Sequence, residues 1–358
     1  MRTFASTPHY VQGPGALSEI GRVVATLGRV PAFVVDAQVA HLFEEVLAEG
    51  LLRPRVTLPF TGEVTDEAIA NLASRCAGCD VVIAAGGGKA LDAGKAVALH
   101  HGLPVVSVPT IASNDGPASR GIAIYDDAHR LVRVDQMPGN PAAVIVDSMV
   151  IARAPVHFLR AGVGDAIAKT FEAEACWAGG GLTKHGSRPT HAGRAIAQAA
   201  YRLLRTHALA GIAAAERQEV TEDLEATIEA CVLLSAMGFE NGGLSIAHSV
   251  TRGLMTLRGA KDRLHGEHVA YGALVQLAAE HRTDDEIRDL AGFLASVGLP
   301  VSLADLGVSN PRQADIDAVA DATMTSPHMR TLAQPLQAAD IAAAIGRVEA
   351  LCRTSARI

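Results

Sequence analysis

The sequence predicts an α/β N-terminal half followed by an all-helical C-terminal half. In the first 155 residues, short runs rich in Val and Ile alternate with segments whose apolar residues recur at the helical period. After Pro155 the strand signals nearly vanish and Ala- and Leu-rich segments dominate, with loops expected near 179–190 and 306–313. We therefore expect two domains, an α/β domain over 1–155 and a helical domain over 156–358.

Four apolar runs in the first half are typical of buried strands, because they are short, rich in Val and Ile, and end in turn-forming or polar residues. They cover residues 31–37, 80–88, 103–110 and 142–147. Helical patterns separate the runs, and strand–helix alternation predicts a parallel sheet covered on both faces. Residues 121–135 differ, since two alternating runs flank Asp126-Asp127-Ala128-His129, which predicts a hairpin.

The bulk composition excludes several classes of protein. Hydrophobic residues make up 49% of the 358-residue chain, and the net charge of -7 argues against a nucleic-acid partner, which needs a basic surface. No apolar run reaches the roughly 18 residues of a membrane span, and we find no secretory signal pattern. Five cysteines in a chain of this length do not indicate a disulfide framework. We expect a soluble, cytoplasmic protein without nucleic-acid or membrane partners.

A glycine-rich turn follows the second predicted strand. The segment GGGKALDAGKA places Gly87 and Gly88 directly before Lys89 at a predicted helix start. Glycines let a backbone approach an anion closely, and a helix N-terminus offers free N–H groups, so this turn is a candidate phosphate cradle. It matches neither the Rossmann fingerprint nor the Walker loop, because Leu91 and Ala96 stand where those motifs need other residues. A tight turn without a ligand is the alternative.

Two further features fall at the same edge of the predicted sheet. Asp36 ends the first predicted strand, where a carboxylate can bind a ribose diol; a helix cap is the alternative. The polar segment 108–119 follows the third predicted strand. Because ligand loops in open parallel sheets lie beyond the carboxyl ends of the strands, we expect both features to lie beside the glycine turn.

Two histidines and one aspartate are candidate ligands of a catalytic metal. His248 and His265 lie seventeen residues apart, and Asp165 follows Gly164 at a predicted helix start. One carboxylate with two neutral imidazoles is a common catalytic set that leaves one coordination position open. The alternatives are a plain N-cap for Asp165 and ordinary roles for the two histidines. We expect His268, which follows His265 by one turn, to be an exposed neighbour and not a ligand.

Five segments, in this order and at these intervals, resemble the glycerol dehydrogenase family, part of the iron-containing alcohol dehydrogenase and dehydroquinate synthase-like group. They are GGGKALDAGKA, VPTIASNDGPAS, GVGDAIAKTFEAEA, GFENGGLSIAHSV and HGEHVAYG. The resemblance covers nearly the whole chain. It implies a dehydroquinate synthase-like fold: an NAD-binding α/β domain, an all-α C-terminal domain and a metal in the cleft between them. It also implies a homo-oligomer.

The same resemblance implies roles for individual residues. Asp165, His248 and His265 match the metal ligands, and Asp115 matches the residue that contacts the substrate hydroxyl groups, so these four form the predicted catalytic set. The predicted cofactor contacts are Asp36, Gly87, Gly88, Lys89, Thr110, Ser113, Ser119 and Tyr125. We expect NAD and one divalent metal, with zinc preferred over iron, and hydride transfer between NAD and a small-molecule alcohol.

The motifs that surround the predicted substrate pocket depart from the family pattern. The family's STDAPCS reads SNDGPAS here, Arg120 follows it, Thr251 and Arg252 replace His and Asn, and Lys169 stands where glycerol enzymes often lack a charge. The preferred function is an NAD-dependent dehydrogenase of a small polyol such as glycerol. One alternative is an enzyme acting on an anionic 2-hydroxy acid or phosphorylated alcohol, bound by Arg120, Arg252 or Lys169. The other is an NAD-using cyclase of the dehydroquinate synthase type.

Overall fold

The computed structural model of the chain describes residues 1–128 and 130–353. Its N-terminal part contains a six-stranded parallel sheet with strand order β1-β8-β5-β4-β2-β3, and a separate antiparallel pair, β6-β7. The strands are β1 His9–Gly13, β2 Pro31–Asp36, β3 Val56–Phe60, β4 Val81–Gly86, β5 Val105–Pro109, β6 Gly121–Tyr125, β7 Leu131–Gln136 and β8 Ala143–Asp147.

Helices flank the sheet and form the remaining regular secondary structure of the described chain. The α-helices are α1 Ile20–Ala25, α2 Glu44–Ala48, α3 Asp66–Arg75, α4 Gly88–His101, α5 Ser148–Arg153, α6 Val156–Ile167, α7 Lys169–Ala178, α8 His191–Glu216, α9 Glu222–Glu229, α10 Ser235–Gly242, α11 Ile246–Leu254, α12 His265–Ala279, α13 Asp284–Ser296, α14 Gln313–Met324 and α15 Ala338–Arg353. Short 3₁₀ segments occur at Ala16–Glu19, Ala40–Phe43 and Pro327–Thr331, and a π-helical segment, Ala230–Leu234, joins α9 to α10.

The four predicted buried strands are confirmed as β2, β4, β5 and β8, all of them parallel. Two edge strands, β1 and β3, were not predicted. Both are only partly buried, and β3 contains Pro59, a residue that weakens a strand prediction. The expected hairpin is confirmed, with Tyr125 paired to Leu131. His129, in its turn, lies outside the described residues.

The sheet is covered on both faces, as the strand–helix alternation predicts. Along β2, Ala32 and Val34 join the apolar cluster on one face, whereas Phe33 and Val35 join the cluster on the other. A third and larger cluster fills the helical part and reaches Val144 and Val146 of β8. Every element described after β8 is helical, and the loops predicted near 179–190 and 306–313 are present. The domain boundary at 155/156 stays a prediction.

Membrane-spanning potential was assessed over the described residues only. No single helix there has the length and apolar character to cross a membrane, and one bent pair, Glu222–Gly242 with Ile246–Leu254, meets the criteria by length and composition alone.

Candidate active site

The glycine turn lies at the point where the strand order of the sheet reverses. The chain passes from β2 outward to β3 and then returns past β2 to β4, so the carboxyl ends of β2 and β4 flank a crevice. Asp36 ends β2, and Gly87 follows β4 on the other side of this crevice. In open α/β sheets ligands bind at such a switch point. The topology therefore brings two predicted cofactor residues to the edge where a dinucleotide fits.

The N-terminus of α4 is open toward this crevice. Gly87 precedes the helix, and no side chain among the described residues caps its first N–H groups. Uncapped N–H groups and the positive end of the helix dipole favour a phosphate. Gly88 begins the helix, and the exposed ammonium of Lys89 pairs with the carboxylate of Glu63. Asp36 is not the cap of the next helix, because its Oδ1 accepts a hydrogen bond from the backbone N–H of Gln38 at 3.0 Å.

Lys95 of α4 fixes the polar loop that follows β5. Its buried ammonium donates to the carbonyls of Gly116 and Gly121 at 2.7 and 2.9 Å, and lies 3.0 Å from Asp92 Oδ1. The other oxygen of Asp92 accepts from the N–H of Ala123 at 3.0 Å. A buried charge held by three acceptors is well satisfied, so this network fixes the loop at the sheet edge where the cofactor is predicted to bind. The sequence analysis missed this role of Lys95.

The remaining predicted cofactor residues surround the same loop. Thr110 is buried at the end of β5, and its N–H donates to the carbonyl of Gly86 at 3.1 Å. Ser113 is half-buried in the loop, and buried Ser119 closes it, with its N–H directed at the Asp115 carbonyl. Tyr125 ends β6, and burial together with Asp92 raises the pKa of its hydroxyl. Their contacts with NAD stay a prediction.

Asp165, His248 and His265 converge on one point, although 100 residues separate the first from the last. One ligand atom from each lies within 4.8 Å of the others. Asp165 Oδ1 lies 3.2 Å from His248 Nε2 and 3.7 Å from His265 Nε2. A tetrahedral site with metal–ligand distances of about 2.1 Å separates neighbouring ligand atoms by about 3.4 Å. The donor set and its spacing therefore fit a divalent metal.

Close packing of two helices brings Asp165 to the histidines. Gly164 on α6 faces Gly266 on α12, and a Cβ on Gly164 would overlap the Gly266 carbonyl. A Cβ on Gly266 would likewise overlap the backbone of Ala161. Because both positions lack a side chain, the helix backbones touch and place Asp165 beside His265. Asp165 thus lies near the end of α6, and the predicted helix start at this position is wrong.

Glu172 is a second functional carboxylate, which the sequence analysis missed. Its Oε2 lies 2.6 Å from His248 Nδ1, so this imidazole donates to Glu172 and turns Nε2 toward the proposed metal. Its Oε1 accepts from the N–H groups of Ser245 and His248 at 2.8 and 3.0 Å. No side chain of its own caps α11 at Ser245. One buried carboxylate of α7 therefore orients the ligand and caps the helix that bears it.

Lys169 is a buried cation inside the site. Its Nζ lies 2.7 Å from Asp165 Oδ1, 3.0 Å from Asp115 Oδ2 and 2.9 Å from His248 Nε2. Burial acts to lower its pKa, but Asp115 and Asp165 outweigh burial and raise it. Lys169 in turn, against the effect of burial, holds the pKa of Asp165 well below its usual range. The ammonium therefore binds two of the proposed metal ligands directly.

Asp115 links the loop that follows β5 to the helical part of the chain. Its N–H donates to Asp165 Oδ2 at 3.3 Å, and its Oδ2 accepts from Ser235 Oγ at 3.0 Å, next to the π-helical segment. π-Helical segments occur often at functional sites. Burial and the nearby Asp165 raise the pKa of Asp115 against the effect of Lys169. Within the described residues Oδ1 of Asp115 accepts no hydrogen bond, and the side chain stays 13% exposed.

Comparison with known proteins identifies the family. The sequence model described as iron-containing alcohol dehydrogenase matches residues 11–155. A Halobacterium salinarum protein named glycolaldehyde reductase is 41% identical over 324 residues, which is 89% of each chain. An Escherichia coli protein named glycerol dehydrogenase is 37% identical and covers 90% of this chain and 89% of its own. The chain belongs to the iron-containing alcohol dehydrogenase family.

The fold agrees with this membership. The crystal structure of glycerol dehydrogenase from Schizosaccharomyces pombe superimposes with a TM-score of 0.94 at 32% identity, over 99% of this chain and 92% of that one. The predicted resemblance and the predicted fold class are therefore confirmed. As a member of this family, the protein is an oxidoreductase that acts on alcohols. Its expected cofactors are NAD and a divalent metal.

His268 is buried, which corrects one expectation. His268 is 2% exposed, and its Nε2 donates to the Ala260 carbonyl at 2.7 Å. The expectation of an exposed neighbour is wrong; His268 packs in the helical core, outside the metal cluster.

His265 lies at the cleft with 46% of its side chain exposed, but surrounding protein desolvates the imidazole and lowers its pKa to about 4. His265 is therefore neutral at pH 7, as a metal ligand must be.

The three cations considered for an anionic substrate have different roles. Arg120 is engaged by the protein itself, because its guanidinium donates to Gln136 Oε1 at 3.2 Å and to the Lys184 carbonyl at 2.8 Å. Lys169 is held by carboxylates, as described above. Arg252 is exposed one turn after His248, and Nη1 lies 3.4 Å from the Thr325 carbonyl. In the described part of the chain neither Arg120 nor Arg252 pairs with a carboxylate. The guanidinium of Arg120 is held by two neutral acceptors, whereas exposed Arg252 has one contact at 3.4 Å.

Proposed function

We propose that the protein is a metal-dependent dehydrogenase that moves a hydride between NAD and a small alcohol with a hydroxyl on the neighbouring carbon. Glycerol and reduced glycolaldehyde both have this arrangement, and the relatives named above carry glycerol and glycolaldehyde in their names. The observation that supports it best is the convergence of Asp165, His248 and His265 beside Asp115, at the sheet edge where the glycine turn lies.

The proposed reaction relies on placement by the protein. A divalent metal held by Asp165, His248 and His265 would supply Lewis-acid polarisation of the substrate oxygen. NAD at the glycine turn would supply the hydride acceptor. Within the described residues Oδ1 of Asp115 is left without a hydrogen bond, so it would accept one from the neighbouring hydroxyl group and orient the reacting carbon. Ser235 and Lys169 fix the other carboxylate oxygen.

The protein also sets the protonation state of the ligands. Glu172 accepts a hydrogen bond from Nδ1–H of His248, so the lone pair of this imidazole is on Nε2. Lys169 keeps Asp165 ionised through direct contact at 2.7 Å. Against the effect of burial, Glu172 and Asp165 raise the pKa of His248, and Lys169 lies 2.9 Å from its Nε2, so metal binding at this nitrogen would displace a proton or the ammonium.

We further propose zinc in preference to iron. Two imidazoles and one carboxylate with an open position are a common zinc catalytic set, although the same donors also bind Fe²⁺. Metal analysis of protein purified without added metal, followed by reconstitution with each ion, tests this. Iron as the metal that restores activity would contradict the proposal.

A cytoplasmic location and a homo-oligomer are also proposals. The cytoplasmic location is supported by five free cysteines, four of them buried, which suit a reducing compartment. Light scattering of the purified protein measures the oligomer size, and a monomer would contradict the second proposal.

The test of the function measures NADH formation with glycerol and NADH consumption with glycolaldehyde, at one enzyme concentration. We expect turnover that depends on the metal and is lost after chelation. Stoichiometric conversion of NAD separates a dehydrogenase from a cyclase of the dehydroquinate synthase type, which regenerates NAD. Absence of net NADH formation with every alcohol would contradict the proposed function.

A further inference from the structure

Lys184 is a half-buried cation that has no partner among the residues the structure describes. It lies in the loop between α7 and α8, and its ammonium makes no hydrogen bond or ion pair with any residue in 1–128 or 130–353. By contrast, Lys89, Lys95 and Lys169 each bind a carboxylate. Burial lowers the pKa of Lys184, although Glu240 opposes this effect. The ammonium of Lys184 is therefore available to an acceptor that a ligand would supply.

The loop that bears Lys184 is a fixed structure. Its carbonyl accepts a hydrogen bond from Arg120 at 2.8 Å, and Thr183 closes the turn, since its Oγ1 accepts from the N–H of His185 at 3.2 Å. Arg120 in turn donates its N–H to Glu240 Oε1 at 2.8 Å. Arg120 therefore anchors the loop to the segment that follows Asp115. These backbone contacts position Lys184 beside the site.

A second cation, Arg252, and a histidine, His328, lie near Lys184, because the charges of Lys184 and Arg252 both act on the pKa of His328. Arg252 is on α11 one turn after His248, and its guanidinium reaches the carbonyl of Thr325, three residues before His328. His328 lies in the 3₁₀ segment that the Lys184 loop packs against, because Gly181 touches Thr331 of that segment. Burial, then Lys184, lowers the pKa of His328 to about 3, so its imidazole is neutral at pH 7.

The charges in the site leave these two cations unmatched. Three carboxylates, Asp115, Asp165 and Glu172, are matched by Lys169 and a divalent metal. Glu240 accepts hydrogen bonds from the N–H of Arg120 and from Asn140, and the guanidinium charge of Arg120 offsets its negative charge. Lys184 and Arg252 therefore add positive charge that a neutral polyol does not need.

We propose that Lys184 and Arg252, with His328, form an oxyanion subsite that binds a carboxylate or phosphate carried by the substrate whose hydroxyl occupies the metal site. The inference rests on the proposed function, since the metal site holds the reacting end of the same molecule. The substrate class is then an anionic hydroxylated compound: a 2-hydroxy acid or a phosphorylated alcohol. A charge-assisted contact of this kind changes affinity by roughly 10–100-fold.

The test compares kcat/KM for glycerate, glycerol 1-phosphate and glycerol at saturating NAD in the metal-loaded protein. The variants are Lys184→Met, Arg252→Gln and the conservative Lys184→Arg, with Lys261→Met as the control on an exposed lysine. We expect one anionic compound to exceed glycerol in the unmodified protein. Its advantage should fall about tenfold or more in Lys184→Met and Arg252→Gln and persist in Lys184→Arg and Lys261→Met.

Binding measured by calorimetry, with NAD present and the same three compounds, separates the possible outcomes. A preference for glycerate assigns a carboxylate to the subsite, and a preference for glycerol 1-phosphate assigns a phosphate. Turnover of glycerol with no binding or turnover of either anion overturns the subsite and leaves the proposed function intact. Equal losses for glycerol and the anion in Lys184→Met, with Lys184→Arg equally impaired, also overturn it. No turnover with any of the three compounds overturns the proposed function.

Discussion

Oε2 of Glu172 lies 2.6 Å from Nδ1 of His248, and Oε1 of the same carboxylate caps the helix on which His248 stands. The contact fixes both the position of the imidazole and the nitrogen that faces Asp165. Burial alone would raise the pKa of Glu172, but His248 outweighs it and lowers the pKa, so the carboxylate is ionised at neutral pH. Glu172 therefore positions His248, one of the three proposed metal ligands, and is not itself one of them.

Glu172→Gln should lower metal affinity by about 10–100-fold and leave the fold in place, because the amide keeps the shape but loses the charge that supports His248. Chelator competition measures the affinity, and circular dichroism checks the fold. Glu174→Gln is the matched control, since Glu174 is on the same helix and pairs with Arg194 at the surface. Equal metal affinity in Glu172→Gln and Glu174→Gln would contradict this role.

His265→Ala should abolish bound metal and NADH formation while the thermal unfolding of the metal-free protein changes little. The imidazole is partly exposed and is a ligand of an open site, so its loss removes few packing contacts. Metal analysis by mass spectrometry gives the occupancy. His100→Ala, an exposed histidine on α4, serves as the control. A His265→Ala protein that still binds one equivalent of metal would show that His265 is not a ligand.

The strands that support the cofactor side were predictable because each is apolar on both faces. All residues of β4 and β5 are buried, so their composition alone distinguishes them from the helices. Edge strands β1 and β3 have no such signal, because only part of each is buried and their residues read equally well as loop. The sequence therefore predicts the centre of the sheet better than its edges.

The metal cluster was identified by resemblance, but the helix that bears Asp165 was misplaced by local rules. Gly162 and Gly164 lower helix propensity and suggest a boundary, whereas tertiary packing against Ala112 and Gly266 requires glycine at both positions. Lys169 was assigned to an anionic substrate, although its contact with Asp165 four residues earlier is local. Glu172 gave no local signal, because its role depends on a histidine 76 positions away. Such contacts appear only once the helices are placed.

Asp36→Gly should relax a preference for NAD over NADP. The carboxylate at the end of β2 is the predicted contact of the adenosine ribose, and there it would repel the 2′-phosphate of NADP. We expect the ratio of kcat/KM for the two cofactors to change by about tenfold or more, a difference of about 1.4 kcal/mol. Glu44→Gln, an exposed acid on α2, should leave the ratio unchanged. A preference of the unmodified protein for NADP would contradict the assignment.

His268→Ala should reduce stability without loss of metal. The buried imidazole donates to the Ala260 carbonyl, so its removal leaves that acceptor unsatisfied and costs about 1–3 kcal/mol. Burial also lowers the pKa of His268 in the folded state, so the unfolded chain binds a proton first, below about pH 6.5. Stability from this group is therefore present above that pH and falls as the pH decreases.

Urea unfolding at pH 7.5 and pH 5.0 measures this effect. The unmodified protein should lose more stability on acidification than His268→Ala, by up to about 1.4 kcal/mol per pH unit for one group. His265 and His328, whose pKa values are also lowered, contribute in the same direction to both proteins. Identical losses in the two proteins, or loss of metal from His268→Ala, would show that His268 has a different role.

Lys169→Met should raise metal affinity and destabilise the metal-free protein. The ammonium lies 2.7 Å from Asp165 Oδ1 and 2.9 Å from His248 Nε2, so it satisfies two atoms that a metal also needs. Without it, Asp115 and Asp165 face each other in a buried site, and loss of one partner from a buried ion pair costs about 3–5 kcal/mol. A divalent metal relieves this repulsion, so the gap in melting temperature between the metal-loaded and metal-free forms should widen. Lys261→Met should show the gap of the unmodified protein, and a Lys169→Met protein with weaker metal binding would indicate that the lysine supports the metal instead of competing with it.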